Sequence, residues 1–242
     1  MNRKTISLYE DGIGRVQYID HLGDDKRVVN AARVSFGVEK KELDERDEKL
    51  INYLVEHKHT STLEHCIITF KFVVPLFVRS QHHRHRTWSY NEISRRYTDY
   101  NIQFYEPEAF RTQHKSNRQA SNADDLINPQ VRDIFLHRSA ADLVVDHHKK
   151  SLKLYNKLMD AGVCREQARG VLPQNLYTEY YGSCSISNLI KFIELRSHEG
   201  AQWEIQRVAE ACLEIAEELY PMTFAAWRKS KQKQQTDENH KK

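Results

Sequence analysis

The fourteen residues from Arg84 to Tyr97, R-H-R-T-W-S-Y-N-E-I-S-R-R-Y, constrain this chain more than any other stretch. They hold five cationic or imidazole side chains and one carboxylate, interleaved with serines, an asparagine and aromatic rings. A solvated charge run alternates Lys and Glu and needs no aromatics. Here the cations are Arg, the choice where planar, two-pronged recognition of phosphate or a base edge matters. The residues do not sort onto one polar face at helical spacing, so the segment is expected to fold around an anionic, planar ligand. The plainer alternative is a basic surface loop.

The flanks place this segment. CIITFKFVVP from Cys66 is rich in β-branched and aromatic residues and reads as a strand ending at Pro75. Pro75 suits the first turn of a helix, PLFVRSQHHRHR, that feeds into the arginines. Ser89 to Glu92 has capping-box spacing and is expected to start another helix. Upstream, RVQYID alternates like a short strand, Asp24–Val34 reads as a helix, and Asp44–His57 reads as a second. Gln113–Gln130 is polar and expected to be a long loop, followed by a long helix from about Val131 to Ala161. GVCREQARGVLP reads as a short helix stopped at Pro173, and NLYTEYYGSC as a strand. Ser185 or Ser187 is placed to cap the next helix, and AQWEIQRVAEACLEIAEEL is amphipathic. Strands separated by helices of unequal length imply an α+β class, a single domain with a mixed or antiparallel sheet over residues 1–228. Residues 229–242 carry no apolar side chain and are expected to form a disordered polar tail.

The whole chain excludes several classes. A net charge of +3 over 242 residues is too mild for a general nucleic-acid binder, and the basic character is local. No apolar run reaches membrane-spanning length, and the start MNRKTISLYEDG lacks a signal h-region, so a soluble cytoplasmic protein is expected. The four cysteines are widely spaced, with no C-x-x-C pair, which fits free thiols in a reducing compartment.

The remaining polar clusters allow two readings each. His57, His59, His65, His82, His83 and His85 lack zinc-ligand spacing, so no metal is expected, and hydrogen bonding in a polar site is the better reading. Glu64 is either a ligand-orienting carboxylate or a rim residue. Arg169 and Arg196 sit at the ends of core-forming elements and matter only if they converge on Arg84–Tyr97. No G-x-G-x-x-G or Walker A run appears, so a nucleotide would need another cradle.

Arg84-His85-Arg86-x-x-Ser89-x-Asn91-Glu92-x-Ser94-x-Arg96 resembles the R-H-R-x-x-S-x-N-E-x-S-x-R signature of flavin-dependent thymidylate synthases at every specified position. The likeness extends in order and spacing to Ala32-Arg33-Val34-Ser35, His59-x-Ser61-x-x-Glu64-His65, Gln81, and Arg169 ahead of Leu172-Pro173-x-Asn175-Leu176-Tyr177. It continues at Leu195-Arg196 before Ala201-Gln202-Trp203-Glu204, covering roughly residues 8–228.

The resemblance implies an α+β fold and a homotetramer with active sites shared between subunits. It also implies FAD, dUMP, methylenetetrahydrofolate and NADPH, with dTMP as product and no cysteine nucleophile. It makes Arg196 the catalytic arginine, and Gln81, Arg84, Glu92, Ser94, Arg95, Arg96, Arg169 and Arg196 the dUMP set. For FAD it implies Ser61, Glu64, Arg84, His85, Arg86 and Glu92, with Ser185, Ser187 and Lys191 where relatives carry other polar side chains. His59 and Tyr97 fall where the family handles folate. The chain departs from the family with Ser185-Ile186-Ser187 in place of Asn-x-Arg, with Lys191, and with Gly200 in place of a frequent histidine beside His198. The competing class is a non-catalytic RNA binder using the basic aromatic segment. It explains Arg84–Tyr97 but not the match at Arg169 and Arg196. A flavoprotein with another acceptor is the third reading.

Overall fold

The computed structural model describes residues 4–133 and 136–239. In chain order the strands are β1 (Thr5–Ser7), β2 (Arg15–Leu22), β3 (Ile67–Pro75), β4 (Ser89–Glu92), β5 (Phe110–Gln113), β6 (Ser121–Ile127), β7 (Gln130–Asp133), β8 (Leu136–Ser139) and β9 (Tyr177–Ser185). The helices are α1 (Asp25–Arg33), α2 (Glu45–Glu56), α3 (Leu76–His82), α4 (Ala140–Asp160), α5 (Arg165–Ala168), α6 (Ile186–Arg196), α7 (Trp203–Leu219) and α8 (Pro221–Asn239), with 3-10 turns at Thr60–His65 and Arg169–Val171.

An antiparallel sheet in the order β1-β2-β3-β9-β4 organises the fold, which is α+β as expected. β3 is its centre. Ile68, Phe70, Phe72 and Val74 alternate onto one face and are completely buried. Against them pack Ile186, Leu189, Phe192 and Ile193 of α6 and Ile205, Val208, Cys212 and Ile215 of α7, each set at helical spacing. Two acids hold the entry of the helical layer. The Asp24 carboxylate accepts from Arg27 N at 3.0 Å and caps α1. Asp25 is buried and accepts from Met222 N at 2.8 Å and Thr223 N at 3.0 Å, satisfying the first turn of α8.

Four expectations are corrected. Ser89–Glu92 is a strand, not a helix start: it pairs with β9 from Ser89↔Ser183 to Glu92↔Tyr180. Trp88 is buried and Tyr90 half-buried while Ser89 and Asn91 face solvent, so the period is two and the capping-box spacing is incidental. The polar stretch expected as a loop contains a hairpin, β5 with β6, whose side chains bond one another, as in Asn122 Nδ2 to Thr112 Oγ1 at 2.8 Å. The long helix begins only at Ala140, where Ser139 Oγ accepts from Asp142 N at 3.1 Å, because the preceding residues form the β7–β8 hairpin. Residues 134–135, inside the expected helix, lie outside the described residues. Finally, α8 continues to Asn239 where disorder was expected from residue 229. Lys231 pairs with Glu194 at 2.8 Å and Lys233 with Glu56 at 2.5 Å, tying a polar helix to α6 and α2. Residues 240–242 of the expected tail lie outside the described residues.

Candidate active site

Pro75 ends β3 and sits at the N-cap of α3, so the chain turns from the sheet centre straight into Arg79 and Gln81. β4 then returns along β9 and carries Glu92 back beneath α3. The result is a cavity of about 540 Å³ whose polar lining includes Arg79, Glu92, Ser94, Arg95, Arg169 and Thr178. Three arginines and one carboxylate thus share its lining. Glu92 Oε1 accepts from Thr178 Oγ1 at 2.6 Å and lies 3.2 Å from Arg79 Nε, too poorly aligned for a hydrogen bond. Arg95 spends its Nη atoms on the carbonyls of Tyr100, at 2.6 Å, and Asn101, at 3.3 Å. Arg79 Nε and Arg95 Nε are both buried, and neither has a hydrogen-bond acceptor among the described residues. Burial lowers the Arg95 guanidinium from its ordinary value, yet it remains a cation. Unsatisfied buried guanidinium N–H groups are costly, and an anion in the cavity relieves them.

A second node lies at the C-terminal end of α3. Arg196, in the last turn of α6, donates Nε to His85 Nε2 at 3.1 Å and Nη2 to the carbonyl of Gln81 at 3.2 Å. Guanidinium has no acceptor, so His85 Nε2 is bare and its proton is on Nδ1. Burial, and then the Arg196 charge, lower His85 to about 4, which agrees with that neutral tautomer. The Gln81 amide donates Nε2 to Gln202 Oε1. His82, behind this node, is wholly buried and hydrogen-bonded through Nδ1 to the Tyr180 hydroxyl at 2.8 Å.

The other residues singled out in the sequence are distributed as follows. Arg84, Arg86 and Arg169 are exposed and have no carboxylate partner among the described residues. Arg96 is exposed and pairs with Glu166 at 3.1 Å, with its guanidinium 5.9 Å from the Tyr97 ring centroid. Ser94 opens the turn into that segment, with Arg96 N donating to its hydroxyl at 3.2 Å. Ser61 and Glu64 are exposed on the 3-10 turn that packs against α6, and His59 is exposed just before it. Ser185 is the N-cap of α6, accepting from Asn188 N at 3.3 Å, so one of its two sequence-derived roles is occupied by the helix. Ser187 and Lys191 line a groove of about 280 Å³ with Thr60, Leu63 and Trp227. Ser187 Oγ is buried there without a partner among the described residues. Gly200 N donates to His198 Nδ1 at 3.0 Å, so His198 orders its own loop.

Folding thus gathers Glu92, Ser94, Arg95 and Arg169 at one cavity, Gln81, His85 and Arg196 at one node, and Ser187 with Lys191 in one groove. The sequence reading overlooked Arg79. Its separation by one residue from Gln81, on a helix that leads into the signature, was the available signal. It also left Gln202 and Glu204 as mere matching letters, although Gln202 bonds Gln81 directly.

Comparison with known proteins identifies the family. Residues 17–222 match the family described as thymidylate synthase complementing protein. The chain is 43% identical over 223 residues to a flavin-dependent thymidylate synthase of Thermus thermophilus, covering 92% of this chain and 78% of that one. It is 39% identical over 216 residues to a protein of the same name from Thermosipho melanesiensis, covering 89% of this chain and 91% of that one. Among solved structures it resembles a UMP/dUMP methylase from Streptomyces cacaoi bound with 5-Br dUMP, with a TM-score of 0.74, 31% identity, and coverage of 92% of this chain and 97% of that one. With its signature folded into an anion-ready cavity and an arginine node, the chain belongs to the flavin-dependent thymidylate synthase family.

Proposed function

We propose that this protein methylates dUMP to dTMP, drawing its carbon from methylenetetrahydrofolate and its reducing equivalents from NADPH through FAD. The observation that carries the reading is the cavity lined by Arg79, Arg95, Arg169 and one carboxylate, where two buried guanidinium N–H groups have no hydrogen-bond acceptor among the described residues. That cavity suits the phosphate of dUMP, held by Arg79 and Arg169 with Ser94 adding a hydroxyl. Glu92, tied to Thr178, fixes the cavity's one negative charge and orients Arg79. Arg95 shapes the wall by pinning the carbonyls of residues 100 and 101, and Arg96 extends the positive rim. Gln81 and Arg84 complete the contacts to the nucleotide.

Arg196 works on the uracil ring. A cation preorganised by His85 and the Gln81 carbonyl stabilises the negative charge that appears as the base is activated. His85, neutral at physiological pH, holds Arg196 in place rather than delivering a proton. FAD, when bound, supplies hydride chemistry, and this lets the chain dispense with a cysteine nucleophile. The residues present fit that group. Arg84 and Arg86 are exposed cations without a carboxylate partner among the described residues and suit its diphosphate, and the Ser187 hydroxyl beside Lys191, also without a partner there, suits its polar periphery. Ser61, Glu64 and His85 would supply further contacts, with Ser185 held back as a helix cap. His59 and Tyr97, both exposed, would meet the folate.

The family resemblance supports a homotetramer, and the exposed apolar side chains of Val34 and Phe36, 70% and 83% accessible, suit burial against another subunit. No helix among the described residues is long and apolar enough to cross a membrane, and cytoplasmic residence fits the cosubstrates.

Anaerobic turnover tests the reading: the protein with dUMP, methylenetetrahydrofolate, FAD and NADPH should yield dTMP, and omission of FAD should abolish it. Absence of dTMP from FAD-loaded protein overturns it. Light scattering tests the assembly, and mixed Arg169→Ala and Arg196→Ala subunits should recover part of the activity if sites are shared.

A further inference from the structure

Glu204, in the first turn of α7, is only 4% exposed and has donors on both oxygens. Arg111 Nη2 reaches Oε1 at 2.7 Å and Oε2 at 2.8 Å, the Tyr105 hydroxyl reaches Oε1 at 3.3 Å, and Gln202 Nε2 reaches Oε2 at 2.9 Å. An ionised carboxylate only accepts, so it obliges Gln202 to turn its NH₂ inward and its oxygen outward. Gln81 must then donate its own NH₂ to Gln202 Oε1. This leaves Gln81 Oε1, which accepts from no described residue, as the end of the amide free for a ligand. The Gln81 backbone meanwhile receives Arg196.

We propose that Glu204 is a positioning residue which, through Gln202, dictates that Gln81 presents its oxygen to the substrate. This rests on the reading of Gln81 as a dUMP contact. An outward oxygen matches the one donor on the uracil edge, N3–H. Two amides in series have no intrinsic polarity, because each can flip by exchanging oxygen and nitrogen at nearly constant shape. Only a group that cannot donate breaks the tie. Arg111 pairs with that group at 2.7 Å and fixes it in place as an acceptor. The same ion pair anchors β5 to the start of α7. A purely structural role for Glu204 is therefore the competing account.

The test is a double-mutant cycle on FAD-loaded full-length protein, measuring dUMP affinity by calorimetry, with thermal unfolding in parallel. Glu204→Gln keeps the shape but replaces one acceptor oxygen by a donor, so the enforced direction is lost, and it should weaken dUMP binding about tenfold, the value of roughly one hydrogen bond. In a Gln81→Ala background the same change should cost almost nothing further, because Glu204 acts only through Gln81. N3-methyl-dUMP, which lacks the donor, should bind wild type poorly and should lose less affinity than dUMP on Glu204→Gln. Equal losses in both backgrounds, or no loss on Glu204→Gln, overturn the relay, as does a Gln81→Ala protein that binds dUMP like wild type. If Glu204→Gln does not fold, Gln202→Met removes the intermediate amide at similar volume and is read in the same cycle. Wild type that fails to bind dUMP would sink the functional reading itself, a result distinct from all of these.

Discussion

Arg196 Nε donates to His85 Nε2 at 3.1 Å, and the direction of that bond settles the protonation of both groups. The guanidinium stays charged, and the imidazole stays neutral with its proton on Nδ1. Glu194, two residues before Arg196 in the same helix, pairs instead with Lys231 at 2.8 Å and accepts from Trp227 at 3.1 Å. Arg196 is therefore not a helix-end arginine engaged by its acidic neighbour.

Arg196→Ala should chiefly lower kcat, while Arg79→Ala or Arg169→Ala should chiefly raise the KM for dUMP. The first loses an interaction with charge that develops during reaction, and the others lose one present throughout. A charged hydrogen bond contributes roughly 1.5–3 kcal/mol, or about one to two orders of magnitude in either constant. Lysine at 196 keeps charge but not the planar fork and should rescue partly. Steady-state kinetics with varied dUMP decides. Unchanged kcat in Arg196→Ala at saturating dUMP would remove Arg196 from the mechanism.

His85 links stability to pH. The unfolded chain takes up this proton near 6.5, whereas the folded protein does so only at about 4. Between those values the unfolded state binds more protons, so the contribution is complete above 6.5 and is lost as pH falls toward 4. His82, lowered in the same direction by its burial, adds to the trend. Calorimetric Tm measured across that window should fall less steeply for His85→Gln than for wild type.

No cysteine should be required for turnover. Cys66 is buried and its thiol is pushed up to about 12, and burial raises Cys184 and Cys212 well above the ordinary range. Those three cannot supply a thiolate at neutral pH, and Cys164 alone is exposed. Replacement of all four by Ala or Ser should leave dTMP formation measurable in folded protein. Loss of turnover on replacing one cysteine, with FAD and dUMP still bound, would contradict the mechanism.

Gly182 should resist substitution for steric reasons. A Cβ there would lie 2.8 Å from Phe72 Cε2 and 3.3 Å from Trp88 Cε3, in the layer that seats β4 on β9. Gly182→Ala should destabilise by about 1–3 kcal/mol, the usual cost of overpacking. Urea titration would reveal it as a lower midpoint at unchanged slope.

Sequence alone determined the elements whose signal is local. β3 announced itself by a β-branched and aromatic run ending in proline, and α2 and α7 by apolar spacing. The signature from Arg84 to Arg96 and the family resemblance were legible in the same way, as residue identities at fixed spacing. Tertiary structure decided what depends on partners distant in the chain. Ser89–Glu92 became a strand because β9, about ninety residues later, offered an edge to pair with. The polar 113–130 stretch became ordered where cross-strand bonds and the Arg111–Glu204 pair held it. α8 ran past residue 229 because Glu56 and Glu194 met its lysines. The site divides likewise. The residue types were readable, but Arg79 opposite Glu92, His85 beneath Arg196 and Glu204 behind Gln202 are pairings made by packing, and no local spacing encodes them.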